Sequence, residues 1–146
     1  MKLFRLNTNG SSQTVGLIGE GLIGSAIGAS LNRHQPVCSD IHFPNYHQND
    51  LDRIWTTIND HLLKLKISGA VEWIWSAGKV GLLASEEECA REFNFFEAFL
   101  DHHSQHRGKC NDSLHLISSA GGLYEGQRLV TRQTQPAPKQ AYGRLK

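Results

Sequence analysis

Residues 15–31 constrain this chain more than any other stretch. Val15-Gly16-Leu17-Ile18 is a short apolar run, Gly19, Gly21 and Gly24 follow as G-x-G-x-x-G, and Ser25 to Leu31 is small-residue-rich and spaced like a helix. That order reads as strand, tight turn, helix. The first glycine of such a turn permits the bend, the second lets a pyrophosphate approach the backbone, and the third lets the helix pack closely on the strand. The first-turn N–H groups of Leu22, Ile23 and Gly24 then stand at the positive end of a helix dipole, where phosphate is favoured. The helix is expected over 22–33, with Pro36 past its end. Pro36 to Asp40 reads as a second strand tipped by an acid. Asp40 falls about 20 residues after the glycines, the spacing of a carboxylate that accepts from the adenosine ribose hydroxyls and repels a 2′-phosphate. NAD is therefore the expected cofactor.

The rest of the chain alternates in the same way. Residues 1–12 read as a flexible leader, with Leu3 to Leu6 able to pair at a sheet edge, and 13–146 as one NAD-binding domain. Leu51, Ile54, Trp55, Ile58, Leu62 and Leu65 recur at helical steps, so a helix is expected over 50–66, capped by Asn49 or Asp50 and stopped at Ser68-Gly69. Ala70 to Ala77 is a nearly continuous apolar strand of the kind covered on both faces. Ser85 with Glu88 forms a capping box opening a helix through Cys89, Phe93, Phe96 and Leu100 to about His103. Leu114 to Ser119 reads as a strand, Ala120-Gly121-Gly122 as a loop, and 139–146 as a helix beginning. No strand is visible between Asp40 and the helix at 50. Strands alternating with helices imply an α/β fold with a doubly wound parallel sheet, Rossmann-like.

The formal net charge is +1, which gives no electrostatic case for nucleic acid or an anionic membrane. No stretch has the length and apolarity of a signal peptide or a spanning helix. The three cysteines, Cys38, Cys89 and Cys110, are widely spaced and point to reduced thiols, so the expected location is cytoplasmic. His102 and His106 stand i, i+4, but in a polar stretch ending at Gly108 they read as a solvated helix end rather than a metal site. Trp55, Trp73 and Trp75 read as core. Lys79, in the turn after the 70–77 strand, is a candidate phosphate contact.

Ligands of open α/β sheets bind beyond the carboxyl ends of the strands. Three such ends carry polar or glycine-rich turns: Gly19 to Gly24, Ser76 to Gly81, and Ser118 to Gly122. Tyr142 and Lys146 share a helix face, and an ammonium there favours phenolate, which suits Tyr142 to take a proton from a substrate hydroxyl while hydride leaves the same carbon. With these features together the sequence resembles the extended short-chain dehydrogenase/reductase family, in its NAD-dependent epimerase/dehydratase branch. Ser118-Ser119-Ala120-Gly121-Gly122-Leu123-Tyr124-Glu125-Gly126 is similar to that branch's S-S-x-G-x-V-Y-G segment, and Pro138 to Lys146 to its P-x-x-x-Y-G-x-x-K segment. The family's turn is G-x-x-G-x-x-G; here the first glycine is displaced to Gly19.

The resemblance implies that Ser119 hydrogen-bonds the reacting group, that Tyr142 is the acid/base, and that Lys146 binds the nicotinamide ribose and tunes Tyr142. It implies cofactor contacts at Ser76, Ala77, Gly78 and Asn94; no metal is expected, since the histidines read as a solvated helix end. The substrate is a small molecule, a nucleotide sugar in this branch, and a homodimer is compatible with it. A reductase or dehydrogenase of the same family, or a non-catalytic dinucleotide-binding module, are the alternatives. The family continues past this lysine, so the chain corresponds to the family's N-terminal portion, truncated as the Tyr-x-x-x-Lys helix begins, and is expected to be inactive by itself.

Overall fold

The structure is a computed structural model and describes residues 1–8, 11–41, 51–78, 80, 81 and 83–145. Its strands are β1 (Lys2–Thr8), β2 (Ser11–Ile18), β3 (Val37–Asp40), β4 (Val71–Trp75) and β5 (Ser113–Leu116), in one sheet of order β3-β1-β2-β4-β5. The helices are α1 (Leu22–His34), α2 (Leu51–Lys64), α3 (Glu86–Arg107), α4 (Ala120–Leu123) and α5 (Ala141–Leu145).

Two expectations are corrected here. The sheet is mixed rather than all-parallel, and residues 2–8 form a strand inside it rather than a flexible leader. β1 runs antiparallel to both β2 and β3, while β2, β4 and β5 are mutually parallel. Only two residues separate Thr8 from Ser11, and a parallel neighbour needs a crossover of a dozen or more, so β1 and β2 must pair as a hairpin. Leu3 and Phe4 are both 0 % exposed and point to opposite faces, as strand alternation requires. A leader with that much apolar surface is more stable paired than solvated.

Helices cover both faces over the middle of the sheet, while every residue of β5 is exposed. On one, Phe4, Val15 and Leu17 form a cluster packed by Ile27 and Leu31 of α1. On the other, Leu3, Ile18, Val71, Trp73 and Trp75 meet Ile54, Trp55 and Ile58 of α2 and Phe95 and Phe99 of α3. The three tryptophans are core, as expected. Trp55 meets Trp73 edge-on at 6.0 Å, and Phe99 lies 4.9 Å from Trp55 and 4.8 Å from Trp75. Each such ring buries roughly 150–250 Å², on the order of 4–6 kcal/mol of apolar burial before entropy is counted. Gly16 makes room for this stack, since a Cβ there would overlap the Trp73 indole.

α2 ends earlier than Ser68-Gly69. Lys66 adopts φ 55, the Ile67 N–H donates to Leu62 O at 2.8 Å and the Lys66 N–H to Leu63 O at 2.9 Å. This is a Schellman closure with lysine in the place glycine usually takes. α3 begins at the expected capping box of Ser85 and Glu88 but runs four residues beyond His103, to Arg107. There Asp112, with its side chain 1 % exposed, gathers the end of the helix onto the sheet. Its carboxylate accepts from the Val71 amide at 2.9 Å, the Trp73 indole at 2.8 Å and Arg107 at 2.5 and 2.8 Å, with His103 Nε2 at 3.1 Å. Burial pushes this carboxyl up, but the hydrogen bonds from Arg107, Trp73, Val71 and His103 outweigh it and hold it at about 2. Of the helix-end histidines, His106 is exposed, as expected, with its ring stacked on Trp55 at 6.1 Å, while His102 is half-buried and His103, also half-buried, lies 5.5 Å from the same indole.

Candidate functional site

The registers Ile18↔Trp75 and Trp75↔Leu116 put the carboxyl ends of β2, β4 and β5 at one edge of the sheet. The glycine turn leaves β2 there. Gly19 has φ +98, and a Cβ on it would overlap the backbone of Ser76 and Ala77; a Cβ on Gly24 would overlap the Gly19 carbonyl. Ser76 Oγ lies 3.0 Å from the carbonyls of both Ile18 and Gly19 and donates to them. Ser76 and Ala77 thus serve the turn directly, as its floor. Gly21 is different: no described atom lies within 4 Å of where its Cβ would be, and its extended backbone, φ −65 and ψ −171, suits any residue. Packing explains the first and third glycines and leaves the second unexplained.

α1 starts at Gly21 without any side-chain cap. Leu22 and Ile23 in its first turn are 91 % and 52 % exposed, while Gly24 is buried. Ser25 Oγ donates to the Glu20 carbonyl at 2.9 Å and Ser25 N to the Gly21 carbonyl at 2.8 Å, which fixes the turn's backbone. Beside it, across the end of β4, a cleft of about 580 Å³ opens under α3, lined by Trp75, Ala77, Gly78, Leu83, Glu92 and Phe95 among others. Glu92 Oε2 accepts from the Val80 amide at 3.2 Å, tying the turn after β4 to α3.

The other expected residues fall as follows. Asp40 ends β3 at this same edge, but β1 stands between β3 and β2. Lys2 is the register partner of Leu17 on one side and Asp40 on the other, so Asp40 is two strand spacings, about 10 Å, from the glycine strand. Asn94 is exposed on α3 and takes no part in lining the cleft, which uses Glu88, Arg91, Glu92 and Phe95. Residues 120–123, expected as loop, form α4. Ser119 caps it: its Oγ accepts from Gly122 N at 3.3 Å and its carbonyl from Leu123 N at 3.0 Å. Gly122 in turn lies against α5, where its Cβ would stand 3.1 Å from Gly143 Cα and 3.2 Å from the Tyr142 ring. Ser119 and Tyr142 therefore flank one glycine, beyond β5 and outside the lining of the cleft. Glu125 caps α5 by accepting from the Lys139 and Gln140 amides at 3.3 and 3.2 Å. Lys79, Lys146 and the capping pair Asn49 and Asp50 lie outside the described residues.

One pair at the mouth of the turn was not foreseen. Lys2 Nζ lies 2.6 Å from the Glu20 carboxylate, and that hydrogen bond raises the lysine above its ordinary value. The signal for it in the sequence was the dipeptide Asn9-Gly10, a favoured two-residue hairpin connection; β1 runs antiparallel to β2, with Lys2 opposite Leu17. Among the described residues there is no cluster of three or more His, Cys, Asp or Glu placed to hold a metal, and no helix long and apolar enough to cross a membrane. No protein-family model, no curated protein and no solved structure matches the chain.

Proposed function

We propose that this chain binds NAD(H) across the Gly19–Gly24 turn and forms the cofactor-binding portion of a sugar-nucleotide epimerase or dehydratase. The observation that carries the cofactor reading is Gly21: it is the one glycine of the three that packing does not require, and it stands at an uncapped helix start. The frame of β2, β4 and β5 with α1 on one face and α2 and α3 on the other supports a Rossmann-like arrangement, into which β1 is inserted. The N–H groups of Leu22, Ile23 and Gly24 would bind the diphosphate, with Ser76 and Ala77 holding the turn. The carboxylate of Glu20 beside the turn favours an unphosphorylated ribose.

When bound, the nicotinamide supplies the hydride acceptor. Tyr142 takes the proton from the substrate hydroxyl, and Ser119 orients that hydroxyl by hydrogen bonding. The two side chains flank Gly122, which supports their acting together. The nucleotide-sugar substrate rests on the sequence resemblance. A non-catalytic dinucleotide-binding module is the second reading, favoured by the cap that Ser119 gives α4, a structural reason for that serine without catalysis. NADH fluorescence titration of the parent and Gly21→Ala tests the cofactor reading. A Cβ at Gly21 should weaken NADH at least tenfold while the melting temperature holds, because the added methyl meets ligand and not protein. Equal binding by the two proteins would overturn it. Turnover of a nucleotide sugar, lost in Tyr142→Phe, separates the enzyme from the module.

A further inference from the structure

The strand next to the glycine strand is where a dinucleotide site of this kind places the acid that reads the adenosine ribose. In this sheet that neighbour is β1, antiparallel, and its residue at the crevice edge is Lys2 rather than an acid. Asp40 sits one strand further out. The carboxylate nearest the turn belongs to Glu20, which directly follows Gly19 and whose backbone carbonyl is held by Ser25 Oγ. Lys2 and Glu20 are paired at 2.6 Å and both partly exposed, their side chains 31 % and 42 % accessible, so a ligand can reach either one.

We infer that the Lys2–Glu20 ion pair, and not Asp40, discriminates NAD(H) from NADP(H) at the proposed site, which rests on the dinucleotide reading above. Glu20 accepts from the ribose diol while Lys2 holds it in place. A 2′-phosphate at the same point meets the Glu20 charge and finds the Lys2 ammonium already engaged. Removing the glutamate charge leaves an unneutralised ammonium next to the ribose, and a lysine is a good phosphate partner. The preference should then turn toward the phosphorylated cofactor.

The test is a set of NADH and NADPH titrations on the parent, Glu20→Gln, Asp40→Asn and the double variant Lys2→Met/Glu20→Gln, each checked for folding by its circular dichroism melt. The parent should prefer NADH. Glu20→Gln should shift the NADPH-to-NADH affinity ratio at least tenfold toward NADPH, chiefly by tightening NADPH, and Lys2→Met in that background should abolish the gain. An equal or larger shift from Asp40→Asn, or no shift from Glu20→Gln, overturns the inference while leaving the dinucleotide site standing. If the folded parent binds neither cofactor, the dinucleotide reading and this inference fall together.

Discussion

Replacing Asp112 by alanine should be the most damaging single change outside the glycine turn. The carboxylate is nearly inaccessible and its partner Arg107 is 7 % exposed. Removing one member of a buried ion pair leaves an uncompensated charge, at a typical loss of about 3–5 kcal/mol. The titration of the carboxyl bounds the charge-dependent share. Its displacement from 3.8 to about 2 corresponds to about 2.4 kcal/mol. The remainder comes from the Trp73 indole and Val71 amide, whose N–H groups lose their acceptor at about 1–3 kcal/mol for each buried donor left unmet. For a chain of this size the melting temperature should fall by about 10 °C. Urea unfolding followed by tryptophan fluorescence measures the loss directly. The sign with pH is fixed: the folded-state value is depressed, so the stabilisation is fully present above about pH 4 and is lost as pH falls through about 2. Adding Arg107→Met to Asp112→Ala should recover part of the loss, since no buried charge remains. A loss below about 1 kcal/mol, or an Asp112→Asn deficit as large at pH 2 as at pH 7, would refute the reasoning.

Three further changes follow from the packing. Gly16→Ala drives a methyl into the Trp73 ring and should destabilise by about 1–3 kcal/mol, with a change in tryptophan emission. Lys66→Gly relieves a left-handed lysine at the Schellman position and should stabilise by about 0.5–1 kcal/mol, the strain removed exceeding the added chain entropy; a lower urea midpoint would count against it. Ser85→Ala breaks the capping box of α3 and should cost about 1 kcal/mol. The deficit should narrow in acid, because the Ser85 backbone and hydroxyl hydrogen bonds that depress Glu88 are lost as that carboxyl protonates.

What the sequence disclosed was local. The turn at Gly19–Gly24, the capping box at Ser85 and the helical spacing from Leu51 onward are each written within a dozen residues, and each has its counterpart in the structure. Strand order is not local. Nothing between Val37 and Asp40 states that another strand will stand between it and β2, and the information lay about thirty residues earlier, in Leu3, Phe4 and Asn9-Gly10. The aromatic run of α3 misled for a different reason. With Phe93, Phe95, Phe96 and Phe99 so close together, several helix phases bury two or three rings, and Phe95 and Phe99 are the pair buried. The end of α3 was missed because the group that secures it, Asp112, reads in sequence as an ordinary turn residue. For the site, residue types could propose Ser119 and Tyr142, but only the contact through Gly122 brings them together.

The inserted β1 also bears on how the sheet can be assembled. In chain order, β1 and β2 close first, over two residues, a closure that costs little chain entropy. β3 then joins the free edge of β1, β4 the free edge of β2, and β5 the free edge of β4. No strand has to be threaded between two that are already paired. A chain emerging amino end first thus meets an open edge of its own sheet at every step, and the sheet can grow outward from its middle in the order in which it is translated.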